Sequence, residues 1–457
     1  MQRTRFLTDV LIVNTPSTFS DHAPAAPAIL IGMLEHYGYS AEFYDFNAHT
    51  KNDVDIKNLA INNTVGNKKR LREIYSEHVN RMLDRKPKYI GISVFTYQCV
   101  NAAKLLCLHI KLRNKDVKII AGGAGLNQGG INGPNLGSEW QSLGLIDYWV
   151  KGEGEWPILD IVRDSKQQAA WEQNTDLDQF PYPVYDSYDW SLYKPSVPIS
   201  GSRGCVRQCT FCDIHTHWRK FVWRSGESLA QEMIAQSERT GISHFMFTDS
   251  LINGSMKAYR DFITRMALHN QTRTQPITWE GQFIFRPSNQ MTADDWQLSA
   301  SAGLVQVAIG IESLSESIRD HMRKKFSNDD IRFGLKYMKQ YGIRGIFLMI
   351  AGYVTDTDET VQETIDMFTE LQPYANNAIE KVAIGTTLAI LPDTPLEHMA
   401  DELGITLGEQ ENAWYGPSTL EQRLAWRRRI IEHCSKLGYH IPENEEQQAL
   451  LSQLEHA

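Results

Sequence analysis

The chain has 457 residues, of which 42% are hydrophobic and 22% charged, and its formal net charge at pH 7 is −9. This length favours about three domains, and the negative charge argues against a broad nucleic-acid-binding surface. No apolar run approaches the roughly 18 residues of a membrane span, and the first residues lack the apolar core of a signal peptide. Six cysteines in such a chain are typical of a reducing compartment, so we expect a cytoplasmic protein.

Residues 1–164 alternate short apolar runs with amphipathic segments. Predicted strands cover 9–15, 41–46, 89–95, 117–121 and 147–150. Predicted helices cover 27–37, 66–86 and 100–112. This alternation predicts a doubly wound, Rossmann-like parallel sheet, whose ligands bind at the carboxyl ends of the strands. Hydroxyls and glycines stand there, namely Thr15, Ser93, Thr96, Gly122 and Gly123.

A Gly- and Asn-rich segment at 126–138 is either a cover over that edge or a tolerated surface loop. Residues 165–195 have no periodicity and are predicted to be a linker.

Strand–helix alternation resumes over residues 196–400, and residues 401–457 are predicted to be a helical C-terminal region. Predicted strands cover 197–200, 244–247, 278–283, 305–311, 345–350 and 382–388. Polar residues at the carboxyl ends of such strands are the expected site residues.

The stretch Gly-Ser-Arg-Gly-Cys-Val-Arg-Gln-Cys-Thr-Phe-Cys places Cys205, Cys209 and Cys212 in a C-x3-C-x2-C pattern. Three thiolates on one short loop suit iron, and in a cubane iron–sulfur cluster they leave one iron open to a ligand. A zinc site completed by His215 or His217 is the alternative. The scattered Cys99, Cys107 and Cys434 are interpreted as buried thiols.

This cysteine motif, including Phe211 before the last cysteine, resembles the cluster loop of the radical S-adenosylmethionine (radical SAM) superfamily. The resemblance implies a partial (β/α)6 barrel over 196–400. It also implies a [4Fe–4S] cluster whose open iron binds the amino and carboxylate groups of SAM. Cleavage of SAM would then give a 5′-deoxyadenosyl radical that abstracts hydrogen from a substrate.

The resemblance further implies SAM contacts at strand ends. The implied contacts are Phe211, Asp249, Gln282, Glu312 and Ser313. The segment 352–356, Gly-Tyr-Val-Thr-Asp, occupies the place of a family turn, Gly-x-Pro-Gly-Glu-Thr, and lacks its proline and second glycine. We therefore expect a remodelled turn there.

Residues 1–164 resemble the cobalamin-binding domain that precedes many radical SAM domains. The resemblance rests on Asn14-Thr15-Pro16, Gly91-Ile92-Ser93, Gly122-Gly123 and Gly152-Glu153-Gly154-Glu155. It implies cobalamin binding by Thr15, Pro16, Ser93, Thr96, Gly122, Gly123, Gly152 and Glu153. The Asp-x-His-x-x-Gly motif that ligates cobalt is missing, and Asp21-His22 has the wrong spacing. Cobalamin bound without a protein ligand to cobalt, between the two domains, is therefore expected, with a fold that holds no cofactor as the alternative.

The resemblance implies a cobalamin-dependent radical SAM methyltransferase acting on an unactivated carbon or on phosphorus. Rearrangement, cyclisation or oxidation without methyl transfer is one alternative, and a non-catalytic iron–sulfur or cobalamin sensor is another. Expected partners are a small-molecule or peptide substrate and an electron donor such as flavodoxin or ferredoxin. Two basic runs, 319–325 and 427–429, are interpreted as solvated faces rather than sites for an anionic substrate.

Overall fold

The computed structural model describes residues 7–17, 21–62, 66–126, 135–164, 172–385, 388–408 and 413–442. Its contacts divide the chain into two compact units, 1–200 with 235–242 and 201–234 with 243–457. The predicted boundaries at 164, 195 and 400 stay predictions. Most of the predicted Gly- and Asn-rich cover, and the chain after residue 442, lie outside the described residues.

The first unit contains a five-stranded sheet in the order β2-β1-β3-β4-β5, in which every pair is parallel. Its strands are β1 (Thr8–Asn14), β2 (Ala41–Asp45), β3 (Pro87–Ser93), β4 (Lys118–Gly122) and β5 (Tyr148–Val150). Its helices are α1 (Ala25–His36), α2 (Phe46–Thr50), α3 (Val54–Asn62), α4 (Lys68–Asp84), α5 (Cys99–Arg113), α6 (Leu136–Ser142) and α7 (Glu155–Asp164). The predicted parallel, doubly wound sheet is confirmed.

Two short helices, α2 and α3, fill a stretch for which the sequence predicted no element. The cause of α2 is local, because the Asp45 side chain at the end of β2 caps it by accepting from the backbone N–H of Ala48 at 2.9 Å. The apolar faces of α4 and α5 are buried with the sheet in one core that includes Leu71, Tyr75 and Leu106.

The second sheet has six strands in the order β13-β12-β11-β10-β9-β6, and the pairs from β9 to β13 are parallel. The strands from here on are β6 (Val197–Ile199), β7 (Ser202–Arg203), β8 (Val222–Trp223), β9 (His244–Phe247), β10 (Thr278–Phe283), β11 (Leu304–Glu312), β12 (Arg344–Met349), β13 (Lys381–Ile384), β14 (Thr406–Leu407) and β15 (Trp414–Tyr415). The helices are α8 (Ile214–His217), α9 (Gly226–Thr240), α10 (Met256–Asn270), α11 (Ala293–Ser301), α12 (Glu316–His321), α13 (Asn328–Tyr341), α14 (Asp358–Leu371), α15 (Pro395–His398) and α16 (Leu420–Lys436). The predicted α/β class is confirmed. The six strands predicted to form a partial barrel make an open sheet, with β6 and β13 at its edges.

The last predicted strand, 382–388, is shorter than expected, because β13 ends at Ile384. Within the described ranges, none of the helices has both the length and the apolar character needed to cross a bilayer.

The interpretation of the two basic runs as solvated faces is wrong for several of their members. Arg319 is fully buried, and its guanidinium donates to the carbonyl of Ser313 at 2.7 Å. Arg427 is also buried and donates to the carbonyl of Gly385 at 2.8 Å. Each guanidinium thus satisfies a backbone carbonyl, which sequence periodicity alone does not reveal.

The turn after β4 brings two backbone segments of the first unit together. Gly123 has a φ of +112°, and a Cβ atom built on it would collide with the carbonyl oxygen of Val94. Val94 itself donates to the carbonyl of Gly122 at 2.8 Å. Because Gly123 has no side chain, the backbone after β4 can pack closely on the backbone after β3.

We expect Gly123→Ala to destabilise the first unit by about 2–4 kcal/mol, because the added Cβ combines left-handed strain with a collision. Gly144→Ala is the matched control, since Gly144 also has a positive φ (+68°) but open space around it. Its cost should stay near 1 kcal/mol. Thermal unfolding followed by circular dichroism compares the two variants, and equal losses would contradict the packing argument.

Candidate functional site

The three cysteines of the C-x3-C-x2-C motif lie on the loop between β7 and α8. Cys209 is buried, Cys205 and Cys212 are half-buried, and all three are free thiols. Each thiol has a hydrogen-bond donor or a cation near it. The backbone N–H of Arg207 donates to Sγ of Cys205 at 3.4 Å, and a backbone hydrogen bond from Ile214 serves Cys212.

Burial raises the pKa of the Cys209 thiol, and the ammonium of Lys324 opposes that rise. Burial likewise raises the pKa of Cys212 to about 12, against the hydrogen bond from Ile214. Thiols in such a place stay protonated until a metal displaces the proton. N–H donors and a cation around the sulfurs are the environment that iron–sulfur thiolates use.

The spacing of the thiols disfavours the zinc alternative. Among the described residues, the three Sγ atoms are not all within 4.8 Å of one another, and neither His215 nor His217 joins them in such a group. A tetrahedral zinc with Zn–S bonds of about 2.3 Å would bring its sulfurs to about 3.8 Å. His215 instead contacts the backbone carbonyl of Arg207 through Nε2. The donor set therefore fits a larger cluster better than a single zinc ion.

An ion pair lies beside the cysteine loop. Glu312, the last residue of β11, accepts from Nζ of Lys324 at 3.0 Å. The side chains are only 12% and 7% exposed, respectively. Nζ of Lys324 also lies 5.8 Å from the ring centroid of Phe211, within reach of a cation–π contact. Burial acts to lower the pKa of Lys324, but Glu312 and the nearby cysteines outweigh it and hold that pKa above its ordinary value.

The backbone around this ion pair is strained. Glu312 has a φ of +64° where the register of β11 and β12 shifts, and Arg323 and Lys325 on either side of Lys324 have φ of +61° and +57°. Three of the six left-handed non-glycine residues in the described part of the chain thus surround one ion pair. Such conformations cost about 1–3 kcal/mol each and concentrate at functional sites.

Gly310 lies under the same pair. A Cβ atom at Gly310 would stand 3.0 Å from Nζ of Lys324 and closer still to Oε1 of Glu312. A side chain at position 310 would therefore force one of the two charged ends to shift, so the glycine leaves the space in which they meet.

Asp249, two residues after β9, is buried and fastens the start of the cysteine loop. Its carboxylate accepts from the backbone N–H of Gly201 at 2.9 Å and from the hydroxyl of Ser202. Burial raises the pKa of Asp249 to about 6 against these hydrogen bonds. The remaining predicted contacts differ in exposure. Ser313 is buried with its hydroxyl 3.4 Å from that of Thr364, and Gln282 is exposed near the end of β10.

In the first unit, the predicted cobalamin residues follow the carboxyl ends of the strands, but several have partners within the protein. Thr15 is buried and donates to the carbonyl of Ser93 at 2.7 Å. Glu153 is buried and accepts from the backbone N–H of Asn174 at 2.7 Å. Ser93, Thr96, Gly122 and Gly123 are half-buried, Pro16 is buried and Gly152 is exposed.

The sequence reasoning missed two groups of residues. Lys324 was assigned to a solvated basic run. The structure shows it buried, as are Met322 and Phe326 two positions away on either side, whereas the odd-numbered Arg323 and Lys325 are exposed. Phe95 and Tyr97, which directly follow β3, were assigned no role. They are 59% and 58% exposed, an unusual state for two aromatic rings at the ligand-binding edge of a parallel sheet.

Residues 199–368 match the sequence profile of the family described as the radical SAM superfamily. The cytidylyl-2-hydroxyethylphosphonate methyltransferase of Streptomyces wedmorensis is 22% identical over 432 residues, which cover 79% of this chain and 77% of the relative. The anaerobic magnesium-protoporphyrin IX monomethyl ester cyclase of Synechocystis sp. is 24% identical over 244 residues. That match covers 47% of this chain and only 46% of the cyclase.

Two solved structures share the fold over most of the chain. The radical S-adenosylmethionine methyltransferase TsrM from Kitasatospora setae, solved with cobalamin and a [4Fe–4S] cluster, has a TM-score of 0.64 and 16% identity. The match covers 88% of this chain and 81% of TsrM. The cobalamin-dependent S-adenosylmethionine radical enzyme OxsB has a TM-score of 0.68 and 16% identity, with 98% of this chain and 71% of OxsB covered.

We expect Lys324→Met to destabilise the second unit by about 3 kcal/mol, because Glu312 would keep a largely buried charge without its partner. Lys325→Met is the control, since Lys325 is exposed. The double variant Lys324→Met/Glu312→Gln should recover much of the loss. Denaturant unfolding measures all three, and a wild-type midpoint for Lys324→Met would refute the coupling.

Proposed function

We propose that the chain, whose residues 199–368 match the radical SAM superfamily, is a cobalamin-dependent methyltransferase of that superfamily. The observation that carries the proposal is the loop of three thiols, each with a hydrogen-bond donor or a cation near it, next to the Glu312–Lys324 ion pair.

In this proposal Cys205, Cys209 and Cys212 would hold a [4Fe–4S] cluster, whose chemistry with bound SAM would supply a 5′-deoxyadenosyl radical. The amino-acid end of SAM would bind the open iron through a neutral amino group and a carboxylate. Glu312 can accept from the N–H bonds of that amino group and Lys324 can donate to the carboxylate, so this pair is suited to orient it. Asp249 acts indirectly, by holding the start of the cysteine loop through Gly201 and Ser202. Phe211 contributes an apolar ring face beside the same charges.

The proposed cobalamin site is the carboxyl edge of the first sheet. Phe95 and Tyr97 offer two exposed rings there, on a loop that is fixed by close backbone packing. Gly125 donates to the carbonyl of Val94 at 2.9 Å, and a Cβ on Gly125 would collide with the carbonyl of Thr96. Rings held in place in this way suit the face of a large flat ligand. The fold shared with TsrM, which was solved with cobalamin, supports the same assignment.

Methyl transfer is favoured by the relatives, several of which are methyltransferases. TsrM was also solved with tryptophan, so a small-molecule substrate with an unactivated carbon, or a phosphorus centre, is the proposed acceptor. Two electrons per turnover would come from an external donor protein, one for the reductive cleavage of SAM and one to return cobalt(II) to cobalt(I) for remethylation by a second SAM. The cyclase relative favours a second candidate, radical cyclisation without methyl transfer.

The first test is anaerobic reconstitution with iron and sulfide, followed by assay of 5′-deoxyadenosine from SAM under reduction. We expect bound iron and deoxyadenosine for the wild type and neither for Cys209→Ala, because a missing thiolate leaves the cluster incomplete. Cys434→Ala, which removes a buried cysteine outside the loop, is the control and should retain both. A fully active Cys209→Ala protein would refute the cluster assignment.

The second test addresses cobalamin. We expect the reconstituted protein to bind it with an optical spectrum of the base-off form and, as cobalt(II), without nitrogen splitting in electron resonance. Phe95→Ala/Tyr97→Ala should weaken binding about tenfold or more, since two ring contacts are lost. Tyr415→Ala, which removes a ring that is 66% exposed, should not. Nitrogen splitting that vanishes in His22→Ala would show a protein ligand to cobalt, and no binding at all would leave cyclisation as the favoured reaction.

A further inference from the structure

The remodelled turn after β12 is closed by hydrogen bonds to Asp356 and carries a buried tyrosine, Tyr353. The carboxylate of Asp356 accepts from the backbone N–H groups of Gly352 at 3.0 Å and Tyr353 at 2.7 Å. It also accepts from the hydroxyl of Thr360, in the first turn of α14, at 3.1 Å. Asp356 thus closes the turn on itself and joins it to the following helix, which fixes where Tyr353 points.

The Tyr353 side chain is fully buried in an apolar cluster that includes Met322, Leu396 and Trp414. Its hydroxyl lies 2.6 Å from Oγ1 of Thr210 and 3.0 Å from Nδ1 of His321. Burial raises the pKa of Tyr353 to about 12, so the phenol is neutral and can both donate and accept.

Thr210 is the residue between the proposed cluster ligand Cys209 and Phe211, and each of its polar groups is held from outside the cysteine loop. Its backbone N–H donates to the carbonyl of Met322 at 3.2 Å, and its carbonyl accepts from the N–H of Leu396 at 2.8 Å. Its hydroxyl meets Tyr353. The turn after β12, the end of α12 and the start of α15 therefore converge on one residue of the loop.

We propose that Tyr353 is a positioning residue that locks Thr210 and thereby sets the place of the Cys209 thiol and the Phe211 ring. The lock rests on the proposed function only in that the three cysteines hold an iron–sulfur cluster. This assigns a function to the remodelled turn, because its Tyr353 side chain contacts Thr210 of the cysteine loop. Thr210 and Tyr353 are both buried, so loss of the Tyr353 hydroxyl deprives the Thr210 hydroxyl of this contact. Loss of the Thr210 hydroxyl leaves Tyr353 with His321 alone.

The test is the rate at which a ferrous chelator removes iron from the reconstituted protein. Tyr353→Phe keeps the ring and removes the hydroxyl, and we expect iron release about threefold to tenfold faster than in the wild type. Thr210→Val should have a similar effect. The double variant should release iron no faster than the faster single variant, because the same contact between the two hydroxyls is removed in all three. Thr210→Ser, which keeps a hydroxyl, should stay close to the wild type.

Tyr439→Phe is the matched control, since the buried hydroxyl of Tyr439 donates to the carbonyl of Phe368 at 2.8 Å and not to the cysteine loop. It should lower thermal stability without changing iron release. Wild-type release from Tyr353→Phe, or effects of Tyr353→Phe and Thr210→Val that simply add, would overturn the proposal. If the wild type holds a cluster but no cobalamin, the proposal of methyl transfer is refuted, while the positioning role of Tyr353 can still be tested. If the wild type holds no cluster, both proposals are refuted.

Discussion

The buried attraction between Lys324 and Glu312 is the interaction on which the candidate site depends. Removing two charges from water is costly, and the cost is offset only when they are held close with few competing partners. The protein holds them 3.0 Å apart by bending three residues into the left-handed region. The result is a pair of opposite charges next to the buried thiol of Cys209. The ammonium of Lys324 opposes the rise in the pKa of that thiol, and Glu312 and the cysteines hold the pKa of Lys324 above its ordinary value.

The cysteine loop is held by the carboxyl ends of three parallel strands. Asp249 after β9 fixes its start, Tyr353 after β12 fixes its middle, and Glu312 at the end of β11 reaches it through Lys324. A short loop with few apolar residues cannot order itself in this way, because its own contacts do not offset the loss of backbone freedom. The open sheet supplies that order, since it places several strand ends on one edge.

Much of this could be predicted from local sequence. The cysteine spacing identifies the loop and apolar runs identify the strands. Asp249 and Glu312 were named through the resemblance of their strand ends to those of the family, and their role as SAM contacts stays a prediction. Lys324 and Arg319 could not be found in this way, because a basic run looks the same whether its members face water or a buried carbonyl. Tyr353 was hidden for a related reason. The sequence shows that a proline and a glycine are missing from the turn, but only the packing shows that a phenol hydroxyl reaches Thr210. The exposure of Phe95 and Tyr97 is likewise a tertiary fact.

Gly310 has a consequence for how this chain can change over time. A side chain at that position would meet the terminal atoms of two long side chains, Glu312 and Lys324, and not the backbone. Such ends can turn aside, so a substitution there is compatible with the fold but displaces one of the two charges. A change at position 310 would therefore alter the charges beside the thiols before it altered the packing of the strand.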